Sequence, residues 1–411
     1  MTSTDLSREH YPLSLKTLGT TISTADFIKN YWQQKPLLIR QALPGYSSPL
    51  SPEEFIGLAL EEELESRLII EHGETPWQLK CGPFTENDYA QLPNKDWTLL
   101  IQSLNHWISD LDDLLEFFRF IPNWRLDDVM GSFAVDGGSV GPHFDQYDVF
   151  LLQANGNRRW KIGQKCDQDS PCIKDIDLHI LQQFEQTDEW LLEPGDMLYL
   201  PPGIAHWGVA EGDNCMTYSI GFRAPSHGDL LADFIEEQLS QTRSEQRYTD
   251  PGFKQQLNPG EISAEALAQI TNILQSYIEK PSQIADWFGR YSTRSKSEDA
   301  PELTCVSEHD NIFADSIHVE DGFYKRNPFL RFAYIPVTDF SRHEQNAHLY
   351  IGGEEYLVSL AFADLICASN VIHSDDLTVF FTDTKDKNVL NMMLAQDVLF
   401  SETSEEPIFG D

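Results

Sequence analysis

Gly141-Pro-His-Phe-Asp145 and, further along, Glu193-Pro-Gly-Asp-Met-Leu-Tyr-Leu-Pro-Pro-Gly-Ile-Ala-His206 are the two stretches that decide how this chain folds. His143 and Asp145 lie two apart at an expected strand end, so their side chains share one face. Gly137-Gly138 and Gly141-Pro142, just before them, let the backbone turn sharply into that position. In the second stretch, Pro194-Gly195-Asp196 opens a strand and Pro201-Pro202-Gly203 closes it. That strand-turn-strand unit brings His206 beside the first pair in a small double-stranded β-barrel. Two imidazoles and one carboxylate hold non-haem Fe(II) on one face and leave the other open for oxygen chemistry, although zinc competes for the same donors.

Oxygenases built on such a site need an electron donor, usually 2-oxoglutarate, whose far carboxylate requires a basic anchor inside the barrel. Gly156-Asn-Arg-Arg-Trp-Lys161 supplies candidates. Arg158 shares parity with Trp160, and Arg159 with Lys161, so one of the two arginines faces inward. Guanidinium suits the task because it clamps a carboxylate through two hydrogen bonds. The residues alone leave open which arginine it is.

The rest of the composition narrows the setting. With 66 acidic against 29 basic residues, the formal net charge is -37. Such a field repels phosphate backbones and attracts Lys/Arg-rich proteins. The six cysteines (Cys81, Cys166, Cys172, Cys215, Cys305 and Cys367) contain no Cys-x-x-Cys pair and read as reduced thiols rather than a disulfide framework. The N-terminus lacks a signal-peptide apolar region, and no apolar run is long enough for a bilayer span. A cytoplasmic protein with no membrane contact is expected. Among the other histidines only His343 and His348 mimic a metal pair, and a spacing of five fits neither a strand face nor a helix face.

Texture along the 411 residues divides the chain. Residues up to about 125 read as mostly helical. Thr24 acts as a cap-like start, Ser51-Pro52-Glu53-Glu54 is a strong helix opening, and Trp97 to Trp107 with Leu111 to Phe118 completes a helical layer. Pro36-Leu-Leu-Ile-Arg40 is a short strand. From Val129 to Phe222, short β-rich runs alternate with Gly, Pro and Asp, the pattern of a sandwich or barrel. Helical periodicity returns from about Asp229 to Trp287. The final part mixes strands and helices, with a hairpin signalled at Gly352-Gly353.

Several long runs match a known family: Tyr31-Trp-Gln-Gln-Lys-Pro-Leu-Leu-Ile-Arg40, Trp97-Thr-Leu-Leu-Ile-Gln102 with Asn105-His-Trp107, Pro122-Asn-Trp-Arg-Leu-Asp-Asp-Val-Met130, Gly137 through Phe150, and Tyr218-Ser-Ile-Gly-Phe-Arg-Ala-Pro225. Over nearly its whole length the chain resembles the bacterial cupin-4 branch of the JmjC-type oxygenases, the ribosomal oxygenases. Within that branch it is similar to members that hydroxylate an arginine of the 50S ribosomal protein L-sixteen.

The resemblance implies an α+β chain in three parts. Residues 1–225 would form a double-stranded β-helix (cupin/JmjC barrel) with an N-terminal helical layer, 226–295 a helical dimerisation domain, and 296–411 a winged-helix-like domain. It implies Fe(II) on His143, Asp145 and His206, with no catalytic residue beyond these ligands. Arg158, rather than Arg159, would bind the distal carboxylate of 2-oxoglutarate, with Ser132 as a supporting hydroxyl. The implied reaction hydroxylates an arginyl β-carbon, consuming molecular oxygen and 2-oxoglutarate and releasing succinate and carbon dioxide. A guanidinium substrate needs an acidic or aromatic cradle, for which Asp136 and Tyr147 are the candidates. The implied partners are a basic ribosomal protein and a second copy of the chain, without direct nucleic-acid binding. Two other readings stand beside this one: a ribosomal-protein histidyl hydroxylase, and a non-catalytic metal-binding cupin that serves as a protein-interaction module.

Overall fold

Strand pairing, more than helix packing, organises the first half of the chain in this computed structural model, which describes residues 17–18, 22–72, 75–255, 257–297, 299–304, 319–337 and 345–401. His309, His318, His343, Cys305 and the acidic tail beyond Ser401 lie outside the described residues. By internal packing the chain divides between Ala224 and Pro225 into two compact units.

The first unit runs β1 (Thr17–Leu18), β2 (Ile22–Ser23), α1 (Thr24–Asn30), β3 (Leu37–Ile39), α2 (Pro52–Leu58), β4 (Ser66–His72), β5 (Thr75–Cys81), α3 (Glu86–Ala90), β6 (Trp97–Ile101) and α4 (Ser109–Glu116). It then continues through β7 (Leu126–Ala134), β8 (Val149–Lys165), β9 (Asp188–Leu192), β10 (Met197–Leu200) and β11 (Ile204–Phe222). Helix starts follow local sequence closely. Ser51 and Glu54 form a reciprocal capping box around Pro52, satisfying backbone N–H groups that the first turn leaves free. Ser23, one residue before the expected Thr24, caps α1 by accepting from the Asp26 N–H at 3.1 Å.

The mostly helical N-terminal layer is where the structure corrects the sequence reading. Trp97–Ile101 is a strand, buried at every position. A short run of apolar residues broken only by Thr98 gives no period to separate strand from helix. What decides it is the free edge of β7, which pairs Thr98 with Ala134 and Leu100 with Ser132. β4 and β5 then extend the same sheet outward from β6.

β8 and β11 each serve two layers. Their outer halves pair from Met216–Asn155 to Gly221–Val149, while their inner halves pair from Ile204–Lys165 to Glu211–Asn157. The register breaks between them at Gly156, where φ is +60 and an added Cβ would lie 3.0 Å from the Cys215 Cα. Only glycine turns this corner without strain. One layer therefore runs β5-β4-β6-β7-β11-β8-β10-β3. The other joins β9 to the inner halves of β8 and β11, and the segment before β8 closes it through the Ser139–Val209 and His143–His206 bridges. This is an antiparallel double-stranded β-helix.

Side-chain alternation gives each layer two faces. Between the layers, Val149, Leu151, Leu198 and Leu200 meet Trp160, Ile162 and Leu192. On the outer face of the larger layer, Phe27, Phe55 and Leu111 from the helices and Phe118 from the turn after α4 pack on Val129, Phe133, Phe150 and Tyr218. Burial of this kind contributes on the order of 25 cal/mol per Å² of apolar surface, and here it clamps the outer layer so that the barrel interior is held in shape.

The second unit contains α5 (His227–Gln241), α6 (Ala264–Ile278), α7 (Pro281–Thr293), β12 (Phe323–Arg326), β13 (Phe332–Pro336), β14 (Asn346–Ile351), β15 (Glu354–Ser359), α8 (Leu360–Ala368), β16 (Val371–His373), α9 (Ser374–Thr378), α10 (Thr384–Ala395) and β17 (Leu399–Ser401). Gly352 and Gly353, with φ of +58 and +93, make the β14–β15 hairpin turn. Gly289 of α7 accommodates the Tyr350 ring of β14, which would sit 2.4 Å from an added Cβ. The expected boundary at residue 295 thus falls inside this unit, because α7 is packed onto the C-terminal sheet.

Candidate metal and co-substrate site

The His143–His206 bridge forms the floor of the site. His143 N–H donates to the His206 carbonyl at 3.0 Å, and His206 N–H donates back at 2.8 Å. Asp145 is held at the backbone by the Gly203 N–H, 2.7 Å from its carbonyl oxygen. Between them these ladder bonds bring together three side chains from two distant segments. One ligand atom from each of His143, Asp145 and His206 lies within 4.8 Å of the others. The imidazole rings are 4.2 Å apart between centroids, and His206 Nε2 is 3.6 Å from Asp145 Oδ2.

Both imidazoles are oriented by the chain itself. His143 Nδ1 lies 2.9 Å from the Gly141 carbonyl, and His206 Nδ1 lies 2.9 Å from the Ile204 carbonyl. A carbonyl can only accept, so each Nδ1 carries the proton and each Nε2 keeps its lone pair. Burial, and next the neighbouring His143, lowers His206 to about 4, which keeps it a neutral ligand near neutrality. The donor set, tautomers and open geometry fit a divalent first-row metal.

The loop between Asp145 and β8 is anchored by a residue the sequence reading did not single out. Asp148 is fully buried and accepts from Tyr199 Oη at 2.6 Å, Gln33 Nε2 at 3.0 Å and Arg125 Nη2 at 3.1 Å. A buried carboxylate satisfied from three directions fixes the backbone around it. The only signal in the sequence was an aspartate immediately before an apolar strand.

Deeper in the barrel lies a polar strip. Ser132 Oγ, on β7, donates to the Thr217 carbonyl at 3.3 Å. Thr217 Oγ1 donates to Gln153 Oε1 at 3.1 Å, and Gln153 Nε2 and Arg158 Nε both approach Cys215 Sγ at 3.4 Å. Arg158 is 3% exposed, and its Nη2 has no partner. A buried guanidinium whose Nε finds only a weak sulfur acceptor is under-compensated, which is how an anion site looks before the anion is added. Arg159 points the other way, to Glu189 and Glu211 on the surface. The arginine and serine therefore share the interior with the triad and fit a dicarboxylate co-substrate.

The two substrate-cradle candidates are placed differently. Tyr147 is half-exposed at the mouth, where the Asp145 carboxylate foremost, then burial and Asp128, push its phenol well above its ordinary ionisation range. The Asp136 carboxylate bonds Lys95 Nζ at 2.5 Å and the Gly212 N–H at 2.9 Å. Its neighbour Gly137 pairs with Ala210, four residues along β11 from His206, or roughly 13 Å at strand rise.

A second His-carboxylate group, Asp286, His348 and Glu355, also has ligand atoms within 4.8 Å of one another. Sequence spacing could not show it, because its members come from α7, β14 and β15. Glu355 is already bonded to His348 Nδ1 at 2.6 Å and Arg290 Nη1 at 3.0 Å, and Arg290 also reaches Glu237 of α5 at 2.6 Å. This is an ion-pair network tying helices to a sheet.

A double-stranded β-helix with two histidines and one aspartate at its open end defines the JmjC class of barrel, and residues 113–230 match the JmjC domain family. The "Ribosomal protein uL16 3-hydroxylase" of Escherichia coli K12 is 38% identical over 278 residues, covering 68% of this chain and 73% of that protein. A "Probable ribosomal oxygenase" of Haemophilus influenzae is 41% identical over 206 residues, half of each chain. The X-ray structure of E. coli YcfD superposes with a TM-score of 0.78 at 30% identity, covering 93% of this chain and 99% of that one. The same ribosomal oxygenase in complex with cobalt and 2-oxoglutarate superposes with a TM-score of 0.77. The chain belongs to the JmjC-domain ribosomal oxygenases.

Proposed function

We propose that this chain is an Fe(II)- and 2-oxoglutarate-dependent hydroxylase that places a hydroxyl group on the β-carbon of an arginine in ribosomal protein uL16 (L-sixteen). The observation that carries the reading is the pairing of two features in one interior. These are three metal donors preset by the backbone and a buried arginine with an unpartnered Nη2. The name of the E. coli relative supports the substrate.

Iron(II), once held by His143, Asp145 and His206, supplies the coupling of oxygen and 2-oxoglutarate to C–H hydroxylation, with succinate and carbon dioxide as co-products. The protein's own task is orientation. The Nδ1–carbonyl bonds aim the two imidazoles, Arg158 and Ser132 fix the far end of the oxo acid, and the apolar walls of Trp160, Ile162 and Leu198 keep water out. The net charge of -37 suits a basic ribosomal protein and disfavours direct binding to RNA. Tyr147 at the mouth and Asp136 beyond it are the acidic and aromatic groups assigned to the substrate side.

Within the second unit, the helices of residues 226–295 are assigned to pairing with a second copy, and residues 296–411 to a winged-helix-like fold packed against α7. Leu231, Ile235 and Leu239 on α5, and Leu267, Ile270, Leu274 and Ile278 on α6, are exposed apolar side chains at helical spacing. Contiguous apolar surface of this kind marks a protein interface. Among the described residues no helix is long and apolar enough to cross a membrane; the cytoplasmic assignment rests on the ribosomal-protein substrate.

Iron-loaded protein given oxygen, 2-oxoglutarate and uL16 should release succinate and add one oxygen atom to an arginine. Fragment ions that place the oxygen on a histidine would replace arginine with the histidyl reading. Tight zinc binding without any succinate would leave only the non-catalytic cupin.

A further inference from the structure

Trp160 is a buried residue with an unanswered donor. It is 4% exposed, and its indole Nε1 has no hydrogen-bond partner. A buried N–H left this way is destabilising, so such groups are rare unless something outside the chain satisfies them. The Arg158 Nη2 has the same deficit two residues earlier on the same strand and the same face.

Placement and orientation of the ring are both fixed. Trp160 pairs with Gly208 of β11 on one side and Trp190 of β9 on the other. The indole lies on Gly208, where an added Cβ would meet Cη2 and Cζ3 at 2.7 Å and Cε3 at 2.9 Å. All three belong to the benzo half of the ring, so the pyrrole edge carrying Nε1 is turned away from β11. The ring centroid is 5.8 Å from that of His206 and 5.8 Å from the Arg158 guanidinium carbon. Trp160 therefore stands between the metal end and the anchoring arginine.

We propose that Trp160 is a positioning residue for the oxo-acid co-substrate: its Nε1–H donates to a carboxylate oxygen of the dicarboxylate that Arg158 anchors. The inference rests on the proposed co-substrate and goes beyond it by assigning the second buried donor. One ligand satisfies both orphaned groups, and the missing Cβ at Gly208 leaves the ring the space it occupies.

The test is calorimetric titration of cobalt-loaded protein with 2-oxoglutarate, comparing wild type with Trp160→Phe, which keeps a ring and removes the N–H. The dissociation constant should rise about tenfold or more, the usual range for a lost hydrogen bond to a charged group. Cobalt affinity should stay within about twofold, and the melting temperature without ligand should not fall by the amount that an ordinary core tryptophan would cost. Only the stabilisation added by 2-oxoglutarate should shrink. Should Trp160→Phe lose its cooperative transition, Gly208→Ala decides, because it displaces the ring while keeping the donor, and the same weakening is expected. Wild-type binding with unchanged affinity in the folded variant overturns this inference and leaves the proposed function standing. Failure of wild-type protein to bind 2-oxoglutarate removes both.

Discussion

His143 and His206 at the barrel mouth bond backbone carbonyls through Nδ1, leaving both Nε2 atoms and the Asp145 carboxylate turned to one point. In the second unit His348 bonds Glu355 through Nδ1, and the Arg290 guanidinium occupies the other carboxylate oxygen. Both groups bring histidine and carboxylate within the same 4.8 Å. Among the described residues, the carboxylate of the first group is ion-paired to no arginine or lysine, whereas Glu355 of the second is held by Arg290. A ligand inventory is therefore not a metal site; what separates the two is whether neighbouring groups already satisfy the donors.

The sharpest way to break that contrast is His206→Ala, which should abolish both stoichiometric metal binding and succinate release. Retention of either would mean that the barrel group is not the metal centre. Next in size, Arg158→Ala should raise the 2-oxoglutarate KM on the order of 100-fold, because a buried charge pair is lost. Arg159→Ala, removing a surface pair, should change it by less than about twofold. Equal effects from the two arginines would undo the inside-outside assignment.

An acid titration sharpens the contrast further. Between pH 6.5 and about 4, His206 stays neutral in the folded chain and takes up a proton in the unfolded one. Its contribution is complete above pH 6.5 and is lost as the pH falls towards 4, roughly 3 kcal/mol in all. Metal-free wild type should therefore show a steeper fall in melting temperature over this window than His206→Asn; parallel curves would contradict it.

The smallest effect belongs to His348→Ala. Metal stoichiometry should remain one per chain and turnover should be unchanged, with a stability loss of about 1 kcal/mol or less from a half-exposed pair. Loss of a second equivalent of metal would show the two clusters to be alike after all.

Legibility in the sequence followed the range of the interactions involved. The capping box at Ser51, the Gly352-Gly353 hairpin and the strand runs in β7 to β11 were readable because each is set by residues close in sequence. Trp97–Ile101 was misread as helix because its partner strand lies about thirty residues away, and a buried central strand shows no alternation. Parity reduced the two arginines to one inward-facing choice but could not name it. Asp148 gave almost no signal, since its three donors come from residues 33, 125 and 199.

The sequence by itself pointed to His143, Asp145 and His206 as the candidate triad and determined the double-stranded barrel and the family, because His-x-Asp, the two turn-bounded segments and the long matching runs depend only on residue type and spacing. The tertiary structure alone decided which donors are left unsatisfied. That property belongs to the surroundings. Arg158 Nη2 and Trp160 Nε1 are orphans only because Gly208 and the barrel walls enclose them without offering an acceptor, Cys215 reaching only the Arg158 Nε. Glu355 is no free ligand only because the fold brings Arg290 to it.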